Sequence, residues 1–151
     1  MIAIGSDHGG LELKDVIRDY LVGRGICVSD LGTSNGDSVD YPDFGSKVAE
    51  AVSSQTVPRG ILICGTGIGM SIAANKFPGI RAALVWDYFT AQMAKEHNNA
   101  NILVLGGRVL TVENACRMVG IWLDTDFAGG RHQARLDKIA QIEEDVRQGR
   151  L

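Results

Sequence analysis

The stretch Ile61-Leu62-Ile63-Cys64-Gly65-Thr66-Gly67-Ile68-Gly69 decides the fold class. Ile61–Cys64 is a short, continuous apolar run, the pattern of a strand buried on both faces. Glycines at 65, 67 and 69 interrupt it, and Ile68–Lys76 then reads as a helical segment. A strand, a glycine turn and a helix together form the first half of a crossover unit, which joins parallel strands.

The same order recurs on both sides of this stretch. Met1–Ile4 ends at Gly5-Ser6-Asp7-His8-Gly9-Gly10, and Leu13, Val16, Ile17, Tyr20 and Leu21 follow at helical spacing until Gly23 and Gly25 stop the run. Ile26–Leu31 reads as a second strand. Pro42 suits the opening of a helix whose inner face is Phe44, Val48, Ala51 and Val52. Ile80–Val85 is a fourth strand, Tyr88–Asn98 a helix with Asp87 as its N-cap, and Ile102–Leu105 a fifth strand. Ala115, Met118, Val119 and Trp122 mark another helix. After Gly129-Gly130 comes a polar helix carrying Leu136, Ile139 and Val146. Gly32–Asp43 is the longest irregular piece and reads as a surface loop. Alternating strands and helices predict a three-layer α/β/α, Rossmann-like domain with a five-stranded parallel sheet and a C-terminal helical extension. No linker divides residues 1–151, so a single domain is expected.

Composition narrows the class further. The 151 residues are 45% hydrophobic and 22% charged, and a chain of this length buries roughly 70% of its extended surface without staples. The longest apolar run, Ala82–Trp86, falls far short of the roughly 20 residues of a membrane span. No secretion signal is recognisable. The three cysteines, Cys27, Cys64 and Cys116, are odd in number and widely spaced, which fits a reducing compartment rather than a disulfide framework. A net charge of −3 argues against a nucleic-acid partner, which needs a basic face. A cytoplasmic globular protein is expected.

In open α/β sheets ligands bind beyond the carboxyl ends of the strands. Those positions hold Asp7-His8-Gly9-Gly10, Cys64–Gly69, Asp87 and Gly106-Gly107-Arg108, which bring an acid, an imidazole, a thiol and a guanidinium to one rim. Alternate glycines opening a helix leave N–H groups free to face an anion. Two familiar phosphate loops do not fit. A Walker loop ends in Gly-Lys-Ser/Thr, whereas this one ends Gly69-Met70-Ser71, and the third glycine of a dinucleotide loop would fall at Met70. Cys64 at the strand end is either a thiolate-forming group or a small buried hydrophobe. Cys27 and Cys116 fit the second description, and Lys14 and Arg18 read as ordinary surface.

Arg131 and Arg135 share a helix face near its start, where like charges repel and cations oppose the dipole. A bound phosphate would relieve both penalties, and a solvated face paired with Asp137 or Asp126 is the alternative. His97 continues a stripe of Phe89 and Met93, and local packing explains it. If catalytic, it stands at the wrong end of a helix about 15 Å long for its own rim. It could then act only on the site of a second subunit, which predicts a homodimer with shared active sites.

Taken together these segments resemble the RpiB type of ribose-5-phosphate isomerase, in the wider group of ribose-, galactose- and allose-phosphate isomerases. The resemblance runs through Gly5–Gly10, Asp40-Tyr41-Pro42, Ile63–Gly69, Ala73-Ala74-Asn75-Lys76, Gly79–Ala82, Glu96-His97-Asn98, Asn101-Ile102-Leu103 and Gly129–His132. It implies a phosphorylated sugar substrate, no metal and no cofactor. The implied reaction interconverts ribose 5-phosphate and ribulose 5-phosphate through an enediolate, a step of the pentose phosphate pathway. By the same resemblance, Cys64 is the base moving the proton and Thr66 assists it. The amides of Gly65, Thr66, Gly67, Ile68 and Gly69 face the enediolate oxygen. His97 opens the ring, Asp7 and Asn98 touch the sugar, Tyr41 lines the pocket, and His8, Arg108, Arg131 and Arg135 clamp the phosphate. Some members carry a Glu shortly after the glycine loop; here Met70-Ser71-Ile72 stands there, so the cysteine form applies. The implied assembly is a dimer with composite sites, or a tetramer of paired dimers.

The Gly-Gly-Arg-His segment favours a five-carbon substrate, with allose 6-phosphate or galactose 6-phosphate as alternatives. Two further readings compete. A metal-assisted isomerase would use Asp7, His8, His97 and His132, which lack HxxxH-like spacing. A binding module without catalysis would hold a sugar phosphate or nucleotide on the same fold.

Overall fold

The computed structural model describes all residues 1–151. Five strands form one parallel sheet: β1 (Ile2–Ser6), β2 (Val28–Asp30), β3 (Arg59–Cys64), β4 (Ala82–Leu84) and β5 (Ile102–Gly106). Its spatial order is β2-β1-β3-β5-β4. Between and after them lie α1 (Leu11–Gly23), α2 (Tyr41–Ser53), α3 (Ile68–Ala74), α4 (Tyr88–Glu96), α5 (Val112–Asp124) and α6 (Arg131–Arg147).

Register follows from two-sided burial. Ile2 lies opposite Arg59 and Gly60 opposite Ile102, which aligns β1, β3 and β5 along their lengths. Ile61 and Ile63 point into a core shared with α1, α4 and α5. Leu62 and Cys64 point the other way, into a core shared with α2 and α3. Alternation within one apolar strand thus builds both layers. Trp122 is fully buried in the first core, and its indole N–H donates to the Ala100 carbonyl at 3.1 Å, which satisfies its one polar atom. Asp87 caps α4 as expected, accepting from the Thr90 N–H at 2.7 Å in a reciprocal capping box.

Several expectations need adjustment. α2 already starts at Tyr41, with Pro42 in its first turn, so the irregular loop stops at Asp40. Cys27 is exposed, not a small core hydrophobe, whereas Cys116 packs half-buried against the first core; burial raises the Cys116 thiol above its usual range. The Phe89–Met93 stripe does not pack inward: Phe89 is 69% exposed, and α4 buries Ala91 and Ala94 instead. Lys14 is buried. Its ammonium donates to Asp30 at 2.6 Å and to the Thr33 carbonyl at 2.9 Å. Helix α6 buries only His132 and Leu136, leaving Ile139, Ile142 and Val146 more than half exposed.

Candidate active site

Successive strands leave β1 in opposite directions, β2 to one side and β3 to the other. The gap between β1 and β3 is therefore a topological switch point, where open α/β sheets bind ligands. Asp7 and His8 follow β1 there, and Cys64 ends β3 beside them.

Cys64 is 5% exposed, and its Sγ accepts the Gly67 N–H at 3.2 Å. Gly67 reaches this position with φ +82°, a left-handed conformation that glycine adopts without penalty. Thr66 is exposed and accepts the Ile68 N–H at 3.3 Å through Oγ1, so its own hydroxyl proton is free to donate. The amides of Gly67 and Ile68 are thus taken within the loop. Those of Gly65, Thr66 and Gly69 have no partner in the chain and are the loop donors open to a ligand oxygen.

Around this loop the rim closes in. Asp7 is buried and accepts the Gly10 N–H at 3.1 Å through Oδ1, which caps the tight turn His8–Gly10. Nδ1 of His8 accepts the Val39 N–H at 3.2 Å. With Nδ1 so occupied, the ring proton lies on Nε2, available to a ligand. The Arg108 guanidinium lies across Gly9 and Gly65; a Cβ on Gly65 would stand 3.2 Å from its Nη1. Arg108 thus belongs to the same chain's Cys64 rim. The Tyr41 ring covers Gly69, where an added Cβ would run into it.

The remaining candidates stand elsewhere. His97 caps the far end of α4, with exposed Asn98 after it, at the end of the sheet where β5 begins. Arg131 and Arg135 are exposed on the first turns of α6, without an ion-pair partner. Asp137 instead accepts from Gln133. The candidate residues thus fall into two groups: Asp7, His8, Tyr41, Cys64–Gly69 and Arg108 at one end of the sheet, His97, Asn98, Arg131 and Arg135 at the other. No three His, Cys, Asp or Glu side chains gather closely enough to share a metal ion, and Asp7 and His8 are separated from His97 and His132 by the sheet.

Two contributors were hidden in the sequence. The ring of His132 stacks on His97, with centroids 4.0 Å apart and planes within 12°. Loss of solvent, then the neighbouring His97, Arg131 and Arg135, push the His132 imidazole below its usual range. Lys14 holds the loop that delivers the Val39 N–H to His8. Its signal was a cation flanking the stripe Leu13, Ile17, Leu21, with Asp30 at the end of a strand.

Known proteins match this arrangement along nearly its whole length. The family model described as Ribose/Galactose Isomerase matches residues 2–139. The ribose-5-phosphate isomerase B of Escherichia coli strain K12 is 48% identical over 143 residues, covering 95% of this chain and 96% of its own. The structure of Clostridium thermocellum ribose-5-phosphate isomerase B superposes with a TM-score of 0.94 at 56% identity, covering 96% of this chain and 98% of that one. The Mycoplasma genitalium enzyme, solved with bound ribulose 5-phosphate, gives 0.92 at 45% identity, covering 95% and 96%. With the switch-point site, the glycine loop and these likenesses in agreement, the chain belongs to the ribose/galactose isomerase family.

Proposed function

We propose that this protein interconverts ribose 5-phosphate and ribulose 5-phosphate, with Cys64 as the base, in a homodimer whose sites each draw on both subunits. The observation that carries this reading is the sulfur of Cys64 at the switch point, bonded by the Gly67 N–H beside the free loop amides of Gly65, Thr66 and Gly69. Isomerisation removes a proton next to a carbonyl and returns it to the neighbouring carbon. That requires a base and donors aimed at the oxygen where charge develops. The Cys64 thiolate takes the proton from C2 of the open aldose and delivers it to C1. The Gly65 and Thr66 N–H groups face the enediolate oxygens, and the Thr66 hydroxyl relays the proton passing between O2 and O1.

The phosphate supplies binding energy far from the reacting carbons. His8 Nε2–H, Arg108 and the second subunit's arginines at 131 and 135 suit its oxygens, since a guanidinium fork matches them in pairs. In this reading the second subunit's histidine at 97 moves a proton onto the ring oxygen as the furanose opens, with asparagine 98 on the sugar hydroxyls. Asp7 and Tyr41 complete the wall on the Cys64 side. The solved relative holding ribulose 5-phosphate supports the choice of a pentose phosphate. One domain over residues 1–151 fits the single sheet. No helix is long and apolar enough to cross a membrane.

The test is turnover of ribose 5-phosphate by wild type and by Cys64→Ala, with allose 6-phosphate run in parallel. Wild type is expected to prefer the pentose in kcat/KM. Cys64→Ala should lose turnover by about three orders of magnitude or more yet still gain thermal stability from ribose 5-phosphate. Binding without turnover by the wild type would overturn the assignment, and retained turnover in the variant would remove Cys64 as base.

A further inference from the structure

At the opposite end of the sheet from Cys64 lies a cavity of about 610 Å³, within the size range of small-molecule sites. Its walls include Gln55, Pro58, Arg59, Arg81, Lys95 and Asn99. Arg59 opens β3, whose far end is Cys64, so about 16 Å of strand separates the two places.

The charges are what set this cavity apart. Five lysines and arginines of the chain are buried or half-buried: Lys14, Arg18, Arg59, Arg81 and Lys95. Lys14 and Arg18 have carboxylate partners, Asp30 at 2.6 Å and Asp15 at 2.9 Å. The other three have none within 4.0 Å, and all three line the cavity. Removing cations from water without an opposite charge is costly, so such a cluster favours an anion.

Hydrogen bonds inside the cavity leave most of this capacity open. Arg81 Nε donates to the Asn99 carbonyl at 3.1 Å, and Lys95 Nζ donates to Asn99 Oδ1. Both Nη groups of Arg81 and the remaining protons of Lys95 have no partner in the chain. Arg59 is steadied over the Trp122 ring, 5.9 Å from its centroid. Two carboxylates belong to the surroundings, Asp126 near Lys95 and Glu143 near Arg81. Glu143 is already held by the Gly79 N–H at 3.0 Å. Burial lowers both Arg81 and Lys95, and Arg59 and Arg81 lower Lys95 further, which marks repulsion of the Lys95 ammonium by both guanidinium groups.

We propose that Arg59, Arg81 and Lys95 form a second anion site, whose lining includes none of His97, Asn98, Arg131 and Arg135, that binds the phosphate group of a small phosphorylated metabolite. Three converging cations suit a phosphate dianion, and the cavity has room for a small organic body along Pro58 and Gln55. The inference does not depend on the role of Cys64.

Inorganic phosphate is the probe, titrated at constant ionic strength against chloride and followed through backbone amide resonances. Wild type is expected to show saturable shifts at Gln55, Gly60, Asn99 and Asn101, in addition to any at residues 65–69. Arg131→Gln/Arg135→Gln, which weakens the proposed substrate grip, should keep the first set. Arg59→Gln/Lys95→Gln should weaken it at least tenfold, and Lys95→Gln alone should weaken it less while leaving the rest of the spectrum unchanged. Shifts confined to residues 65–69, equal shifts with chloride, or an unchanged response in Arg59→Gln/Lys95→Gln would each overturn the proposal.

Discussion

At the scale of single residues, charge placement does more than the hydrophobic pattern reveals. Lys14 stands next to Leu13 on α1, and periodicity alone assigns such a residue to solvent. Burial instead turns it into a tie between Asp30 and the Thr33 carbonyl. Replacing it with Met removes the ammonium from Asp30, which keeps the Gly32 N–H and the Arg18 guanidinium, and leaves that carbonyl without its partner, so Lys14→Met is expected to cost about 2–3 kcal/mol in urea unfolding. The loop it holds carries the Val39 N–H to His8, so KM for the phosphorylated sugar should rise as well. His132 gives the pH counterpart. Its folded-state affinity for protons is lowered, so the folded site stays neutral where the unfolded chain takes up a proton. The stability it contributes is therefore present above the unfolded value near 6.5 and declines as pH falls below it. Thermal melts from pH 5 to 7 should show this slope in the wild type and a shallower one in His132→Gln. Cys64, Asp7 and His8 were legible because they follow strands directly. The His97–His132 stack joins α4 to α6, residues 35 positions apart, and no local pattern carries such a pairing.

At the scale of elements, the order of strands and helices was legible almost completely, because parallel strands buried on both faces must be nearly pure apolar runs. Boundaries were less so. Arg59 and Gly60 belong to β3 although neither is a strand former, since Ile2 and Ile102 provide partners for that stretch of backbone. The spatial order was not legible, since insertion of β5 between β3 and β4 is decided by how the crossovers pack. That order matters for function: it places Arg108, just after β5, beside the Cys64 loop. The α2–α3 contact is equally specific. Gly69 is the point where the first turn of α3 meets the Tyr41 ring at the start of α2. Gly69→Ala should displace that ring rather than unfold the protein. The expected result is a Tm within a few degrees of wild type and a KM raised about tenfold, about 1.4 kcal/mol of binding. A large fall in Tm with unchanged KM would mean that Tyr41 does not line the substrate pocket.

At the scale of the whole molecule, the proposed reaction needs residues from opposite ends of one sheet, which a single chain does not bring together. Helix α6 presents Ile139, Ile142 and Val146 to solvent, and Trp86, Phe89, Ile68 and Ile72 are exposed as well. The run Ile139, Ile142 and Val146 along one helix is apolar surface suited to an interaction face. A two-fold dimer would cover it, and its symmetry would bring each chain's His97 end to the other's Cys64 end twice over. Mixing two inactive variants separates this arrangement from one in which each chain acts alone. Cys64→Ala lacks the base, and Arg131→Gln/Arg135→Gln lacks the phosphate grip. Neither exposed arginine contributes to the core, so both proteins should fold. After subunits are exchanged at equal amounts, half of the dimers are mixed. Each mixed dimer then holds one site with both defects and one site with none. Activity should therefore recover to about one quarter of the wild-type value per subunit. If base and grip came from the same chain, every site in the mixture would carry one defect, and no activity would return.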